Sequence, residues 1–217
     1  MSHPRCLLVS VLLALSGCSG LLHSTAPALQ LYVLATPPAR VVVTGGPPDA
    51  LRRAAPTLRV ARALPSPGLN TDRIALLRPG NRLDYYAGSR WSAPLADLVA
   101  DLELAVLRED PDWGAVADDR SSFNTDYLLQ TSVDRFTAEY ATESQPPDIR
   151  VELHVLLIRR SDGSLVGSFA VSEQARAKEN RMASVIAAFS AVAGEAISAV
   201  QMQSAQLLRS AKSPATP

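Results

Sequence analysis

The sequence is poor in the residues that build disulfides, metal sites and nucleophilic centres. Of its 217 residues only two are cysteines, Cys6 and Cys18, and both lie in the first eighteen positions. A disulfide scaffold or a cysteine-based metal site in the folded body is therefore excluded. Of the three histidines, only His154 lies in the region that we expect to fold. One histidine cannot build a histidine-rich metal site, so we expect neither a metal nor a cofactor.

An excess of either charge is also lacking. Lys and Arg together number 21, as do Asp and Glu, so the formal net charge is zero. This balance argues against a nucleic-acid partner, because neutralising phosphates requires a concentrated basic surface. Aromatic residues make up 5% of the chain and hydrophobic residues 47%. We expect one domain with a core built mostly of Ala, Val, Leu and Ile.

Catalytic motifs are missing as well. No Gly-x-Ser-x-Gly segment is present for His154 to serve as a base. Carboxylates cluster at 109–112 and 118–119 without the alternating oxygens, glycine and closing Glu of a calcium loop. We interpret them as solvated loop charges and predict that the protein is not an enzyme. A two-carboxylate glycosidase stays open on sequence grounds, although no feature favours it.

The first eighteen residues have the layout of a secretory signal. Arg5 precedes an apolar run of about ten residues, half the length that crosses a bilayer. The run closes on Leu15-Ser16-Gly17-Cys18, which resembles the lipobox of bacterial lipoproteins. The Cys18 thiol is the nucleophile that takes a diacylglyceryl group as a thioether, and the small residues before it admit the peptidase. We therefore predict a signal peptide at 1–17 and lipidation of Cys18.

The residue after the predicted lipidation site bears on the destination. Ser19, rather than Asp, does not mark inner-membrane retention by the enterobacterial rule. We expect attachment to the outer membrane of a Gram-negative bacterium, facing the periplasm. The alternative is a plain signal peptide that leaves Cys18 as a free thiol.

Hydrophobic periodicity after residue 28 predicts a mixed domain. Strands with period-two patterning are expected at 29–34, 57–63, 73–78, 82–91, 126–140, 148–160 and 165–171. Helical spacing predicts a helix between Ser92 and Pro111 and a second at about 181–208, whose far end we expect to protrude or meet a partner. The parity of apolar residues switches at Asp134-Arg135, which predicts a β-bulge. The fold class is α+β, with a largely antiparallel mixed sheet and two main helices.

The domain boundaries follow from composition. A tether at 18–28 leads into the domain at 29–208, and a flexible tail is expected at 209–217. Within the domain, residues 36–56 form a Pro/Gly-rich loop that is long for a compact fold.

Several stretches resemble one family when taken in order. They are the early 31–34 strand, the Tyr-Tyr-x-Gly-x-x-Trp segment at 85–91 before a helix, the strand from Asp126-Tyr127 to Phe136–Tyr140, and the helix around Ala187-Ala188-Phe189. Together they resemble the ABC-type transport auxiliary lipoproteins, which include PqiC-like intermembrane transport lipoproteins. The resemblance covers roughly residues 29–208, and the Tyr-Tyr-x-Gly-x-x-Trp segment is its most specific motif.

This resemblance implies a non-enzymatic function. Members of the family are auxiliary components of MCE-protein and ABC-transporter systems that move lipids between the two membranes of the envelope. It implies an MCE-domain protein and an ABC permease and ATPase as partners, and a homo-oligomeric ring as one form of assembly. The alternative function is a structural or assembly lipoprotein of the envelope without a transport role.

Five residues are candidates for an interface. Tyr85 and Tyr86 lie on the predicted strand and Trp91 at the helix entry. Met202 and Leu207 fall off the apolar stripe of the last helix. We favour core packing for the three aromatic residues, with an interface as the second interpretation. Catalytic, cofactor and metal residues are not assigned.

Overall fold

The computed structural model describes residues 28–35 and 54–212. Within these residues the chain forms nine strands and two helices. In chain order they are β1 (Gln30–Tyr32), β2 (Thr57–Val60), β3 (Leu64–Pro65), β4 (Arg73–Arg78), β5 (Arg82–Trp91), α1 (Leu95–Leu107), β6 (Ala115–Ala117), β7 (Tyr127–Glu139), β8 (Asp148–Arg159), β9 (Leu165–Arg176) and α2 (Met182–Lys212). The predicted signal peptide, Cys18, most of the 36–56 loop and residues 213–217 lie outside the described residues.

Strand β7 is the centre of the sheet. One of its edges pairs antiparallel with β8, which in turn pairs antiparallel with β9. The other edge pairs in succession with three parallel strands, β2, β3 and β4. The sheet continues from β4 to β5 and β1, and from β2 to β6. Most paired residues lie in the long antiparallel ladders, which confirms the predicted α+β class with a largely antiparallel mixed sheet.

The predicted bulge in β7 is confirmed. The register of β7 against β8 shifts between Val133 and Arg135. Leu129 and Val133 before the shift are buried, as are Phe136 and Ala138 after it. One extra residue reverses the alternation of side chains, so the bulge keeps both halves of the strand facing the core.

Both helices lie on the same face of the sheet. Helix α2 packs on β8 and β9 and against α1. The Phe189 ring of α2 stacks on Phe136 of β7, with 5.2 Å between ring centroids. The Thr131 hydroxyl, on the same face of β7, donates a hydrogen bond to Glu103 of α1. The opposite face of the sheet is not covered by either helix.

The apolar stripe predicted for the first helix faces this core. Leu95, Leu98, Val99 and Leu102 are buried, and Val106 is half-buried. The helix ends at Leu107, four residues before Pro111.

Helix α2 is long and apolar enough to cross a membrane by length and composition alone. One apolar stripe of the helix packs within the domain, where Val185, Phe189, Val192 and Val200 are all buried. The expectation that its far end protrudes is wrong. Leu208 is buried, and the neighbouring Arg209 forms an ion pair with Asp112 after α1. The helix continues four residues past the predicted boundary at 208, to Lys212.

Candidate functional site

The Tyr-Tyr-x-Gly-x-x-Trp segment of β5 contains a second bulge. Ala75 of β4 pairs with Tyr85, whereas Arg73 pairs with Arg90, so two steps on β4 match five on β5. Gly88 within this stretch has a φ of 65°, a backbone conformation that glycine adopts without steric cost. The odd shift reverses the alternation of side chains along β5. The sequence did not predict this bulge, although Gly88 was a signal for it.

Because of the bulge, Trp91 faces the helices. It is 2% exposed, and its ring makes edge contacts with Phe189 and Phe136 at centroid distances of 5.3 and 6.0 Å. Trp91 is therefore a core residue, as the first interpretation held. Its assignment as an interface candidate is not supported, because the side chain has no surface to offer a partner.

Tyr86 faces the same side, nearer the end of the sheet. Its hydroxyl lies 2.9 Å from that of Tyr140, which donates to Asn180 Oδ1 at 2.9 Å. The Asn180 amide donates in turn to the carbonyl oxygen of Glu143 at 3.0 Å. Burial and the hydrogen bond with Tyr140 raise the pKa of Tyr86 above its ordinary value. This chain of hydrogen bonds fixes β5 and the β7–β8 connection to the start of α2.

Tyr85 points to the opposite side of β5. Its hydroxyl donates to the carbonyl oxygen of Gly68 at 2.8 Å. The guanidinium carbon of Arg73 lies 3.7 Å from the centre of its ring, a cation–π arrangement. Both ends of the side chain are thus engaged by the chain's own groups.

The two candidates on α2 differ from each other. Met202 is 65% exposed. Leu207 is half-buried and lies over Gly167 of β9, where an added Cβ would meet its Cδ2 at 2.6 Å. The five predicted residues are therefore not brought together into one surface, and Met202 is the one among them that is freely exposed.

Glu103 is a notable residue that sequence reasoning missed. It is fully buried in α1, where its Oε1 accepts the Thr131 hydroxyl at 2.6 Å and its Oε2 has no hydrogen-bond partner. Burial raises the pKa of this carboxyl to about 8, since removal from water disfavours the charged form. The burial of Glu103 could have been predicted from the sequence, because this residue lies one turn from both Val99 and Leu107 on the buried side of α1. A neutral carboxyl sealed from solvent has no access to a substrate.

A surface cleft of about 720 Å³ opens where β2 and β7 begin. The described residues that line it include Thr57, Thr125, Asp126 and Arg160, and none of them is His, Cys or Lys. Asp126 accepts from the Thr57 amide and hydroxyl at 2.8 Å each, while Arg160 donates to Thr125 at 3.0 Å. These two pairs of lining residues bond to each other, an arrangement that ties the strand ends together.

Two arginines and two glutamates form a cluster of ion pairs on the uncovered face of the sheet. They are here called the charged quartet: Arg135, Glu139, Arg150 and Glu152. Arg135 contacts both carboxylates at 3.1 Å, and Arg150 lies 3.5 and 3.7 Å from them. His154 lies further along β8 and is exposed, as its parity predicted. Among residues 28–35 and 54–212 no group of three His, Cys, Asp or Glu could hold a metal ion.

These features define the class of the molecule: an α+β domain with a three-stranded antiparallel meander and both helices on one face. The sequence matches the model of the ABC-type transport auxiliary lipoprotein component over residues 32–200. The chain belongs to this family, which confirms the resemblance predicted from the sequence. The family is one of auxiliary lipoproteins associated with ABC-type transport rather than a family of catalysts.

Solved structures share the fold. Protein XCC0632 from Xanthomonas campestris, of family DUF330, is similar with a TM-score of 0.69 and 22% identity, covering 83% of this chain and 98% of its own. A crystal structure of an uncharacterized protein gives 0.62 and 12%, covering 82% and 99%. The hypothetical protein CT253 from Chlamydia trachomatis gives 0.50 and 7%, covering 72% and 99%. No curated protein sequence matches the chain.

Proposed function

We propose that the protein is an outer-membrane lipoprotein that faces the periplasm and is anchored through Cys18. In this proposal it is a non-enzymatic auxiliary component of an MCE/ABC-type system for intermembrane lipid transport. The observation that carries the proposal is the family match over residues 32–200. The lipobox-like Leu15-Ser16-Gly17-Cys18 supports the anchor.

The contacts within the domain support a non-enzymatic role. The buried acid Glu103 is sealed from solvent, and in the described cleft Asp126 is bonded to Thr57 and Arg160 to Thr125. Neither place offers a nucleophile beside a free base, which acyl or glycosyl transfer requires.

Two of the strands that have a single neighbour in the sheet, β1 and β9, are suited to assembly. Within the described residues β1 pairs with β5 alone, and β9 pairs with β8 alone. They lie at opposite ends of the strand path from β9 through β8, β7, β4 and β5 to β1. Unpaired edges at opposite ends suit head-to-tail pairing of copies, and such contacts generate a ring when the rotation closes. These edges support a homo-oligomeric ring as the assembly that meets the MCE protein and the permease.

The proposal is tested by crosslinking and affinity purification of the full-length lipoprotein from solubilised membranes. Mass spectrometry is expected to recover an MCE protein, or its permease and ATPase, and to find a diacylglyceryl group on Cys18. A Cys18→Ala variant is the matched control, since it removes the anchor from a chain with the same described domain. Recovery of the protein alone, as an oligomer, would refute the transport partnership and favour the assembly role.

A further inference from the structure

Strand β1 and the residue on either side of it expose a row of apolar side chains. Leu29, Leu31 and Val33 are 54%, 63% and 67% exposed, and they alternate with Tyr32, which packs against the core. These three residues are here called the β1 row. Exposed large apolar residues at alternate positions of one short segment are unusual on a solvated surface, where they are normally scattered.

The β1 row lies on the side of the sheet that the helices leave uncovered. Leu31 pairs with Arg90, and Tyr32 pairs with Trp91, which contacts α2. Paired residues in adjacent strands point to the same side of a sheet, so Leu31 and Arg90 lie next to each other on the uncovered side. Arg90 in turn pairs with Arg73 of β4.

Positive charge therefore borders the β1 row. Arg90 contacts both oxygens of Asp72, at 2.8 and 3.0 Å, whereas Arg73 lies over the Tyr85 ring and is exposed. Two guanidinium groups and one carboxylate leave one excess positive charge beside the three apolar side chains. Apolar residues flanked by arginine are typical of surfaces that sit at the boundary of an anionic membrane.

The chain length before β1 limits how far this surface can be from a bilayer. Eleven residues lead from Cys18 to Leu29. A flexible chain of that length has an end-to-end distance of roughly 18 Å, and a fully extended one about 36 Å. If Cys18 carries acyl chains, the β1 row is the part of the described structure that is nearest to the anchor along the chain.

We propose that the β1 row, with Arg73 and Arg90, rests on the headgroup region of the bilayer that holds the acyl chains of Cys18. This inference depends on the lipid anchor of the proposed function and adds a second membrane contact to it. Contact stays at the interface, because the guanidinium groups of Arg73 and Arg90 are charged and remain at the level of the headgroups. Two contacts would fix how the sheet is oriented on the membrane, whereas the anchor alone would leave it free to rotate.

The test uses the full-length lipoprotein with one introduced cysteine. After signal removal and lipidation of Cys18 the introduced thiol is the only free one, and it is labelled with an environment-sensitive fluorophore. Leu31→Cys is compared with Met202→Cys, whose position on α2 is similarly exposed at 65%. Both are reconstituted into vesicles of phosphatidylethanolamine and phosphatidylglycerol that contain nitroxide-labelled lipid.

We expect the lipid nitroxide to quench the label at position 31 at least about twofold more than the label at position 202. Equal quenching at the two positions would overturn the proposal. A blue-shifted label at 31 that lipid does not quench would also overturn it, because a protein surface would then cover the row.

Two controls separate this proposal from its premise. Labelling of the wild-type chain would show that Cys18 is free, which would refute the anchor rather than the β1 contact. A variant with Ser at positions 29, 31 and 33 removes the apolar surface from exposed positions and is expected to melt within a few degrees of wild type. In a second pair of chains the label is placed at Val33→Cys, which is 67% exposed and leaves both arginines in place. Adding Leu29→Ser and Leu31→Ser to that chain should reduce the quenching that Val33→Cys alone shows, and unchanged quenching would count against the proposal.

Discussion

The two faces of the sheet differ in burial and in chemistry, and strand β8 shows the difference residue by residue. On β8 the residues that face the helices are almost completely buried: Ile149, Val151, Leu153, Val155 and Leu157. The residues between them face the uncovered side and are mixed: Arg150, Glu152, His154, Leu156 and Ile158. The covered face holds the domain together, and the uncovered face is free to vary in chemistry. Binding surfaces are therefore to be sought among the uncovered positions.

The largest expected effect is the difference in stability loss between two adjacent leucines, one on each face of β8. Leu157→Ala removes a side chain that is 0% exposed and should cost about 2–5 kcal/mol of unfolding free energy, through lost burial and a cavity. Leu156→Ala, on the uncovered face, should cost less than about 1.5 kcal/mol because its side chain already contacts water. Urea denaturation measures both. Similar losses for the two variants would show that the uncovered face is also packed.

A buried carboxyl group makes the stability of the domain depend on pH. Glu103 has a folded-state pKa of about 8, well above its unfolded value. Its contribution to stability is therefore complete below the unfolded pKa and is lost as the pH rises towards and through the folded pKa. Stability should fall by up to about 1.4 kcal/mol per pH unit in that window.

Glu103→Gln tests this dependence. The amide cannot ionise but can still accept the Thr131 hydroxyl, so the fall in stability between pH 5 and 8 should flatten when measured by denaturant titration at each pH. Glu109→Gln, an exposed acid just after α1, is the matched control and should leave the slope unchanged. A slope that persists in Glu103→Gln would assign it to other groups.

Substitution of two glycines is expected to cost less unfolding free energy, for a different reason at each position. Gly88→Ala should cost about 1–2 kcal/mol because a φ of 65° is strained for residues with a Cβ, although nothing lies within 4 Å of the added atom. Gly167→Ala should cost about 1–3 kcal/mol because its Cβ would meet Leu207 at 2.6 Å.

A second substitution at Leu207 should restore the stability lost by one of these glycine variants and not by the other. Leu207→Ala should relieve Gly167→Ala in a double-mutant cycle of melting temperatures, and it should leave the cost of Gly88→Ala unchanged. Relief of both by Leu207→Ala would contradict the assignment of a backbone cause to Gly88.

The smallest effect is expected at the charged quartet. Arg135→Gln removes contacts to Glu139 and Glu152 from a partly exposed site and should cost about 0.2–1 kcal/mol. The loss should shrink as salt is added, because screening weakens exposed ion pairs. Thermal melts at low and high salt check this, and a loss that is independent of salt would point to packing of the side chain instead.

The sequence predicted what depends on neighbouring residues. The β7 bulge at Asp134-Arg135 and the alternation along β8 follow from local apolar patterns, and both are confirmed. The Asp162-Gly163 turn is another local signal, in which the Asp162 side chain accepts the Ser164 amide. By contrast, the alignment of β2, β3 and β4 along one edge of β7 depends on distant pairing that no local pattern carries.

The candidate interface was harder to predict for physical reasons. Aromatic residues occur both in cores and at interfaces, so the sequence left two interpretations of Trp91 open. Its burial in the structure decides for the core. The bulge at Gly88 was missed because the short segment Ala87-Gly88-Ser89-Arg90 shows no apolar alternation whose parity could be seen to change. Glu103 was missed because a glutamate on a helix is normally solvated. The β1 row escaped notice because exposure of a strand is decided by what the sheet places beside it.

The position of β7 also determines the order in which the chain can become ordered. Thr57 of β2 bonds to Asp126, 69 residues later, β3 pairs with β7, and β4 needs β7 as its second neighbour beside β5. During synthesis the first half of the domain therefore emerges without the strand that it must pair with. The β7–β8–β9 meander and α2 can form from contacts that are close in sequence, and only then can β2, β3 and β4 find a template. The first half depends on the second to fold, so the domain is expected to gain its structure late, after almost the whole chain is available.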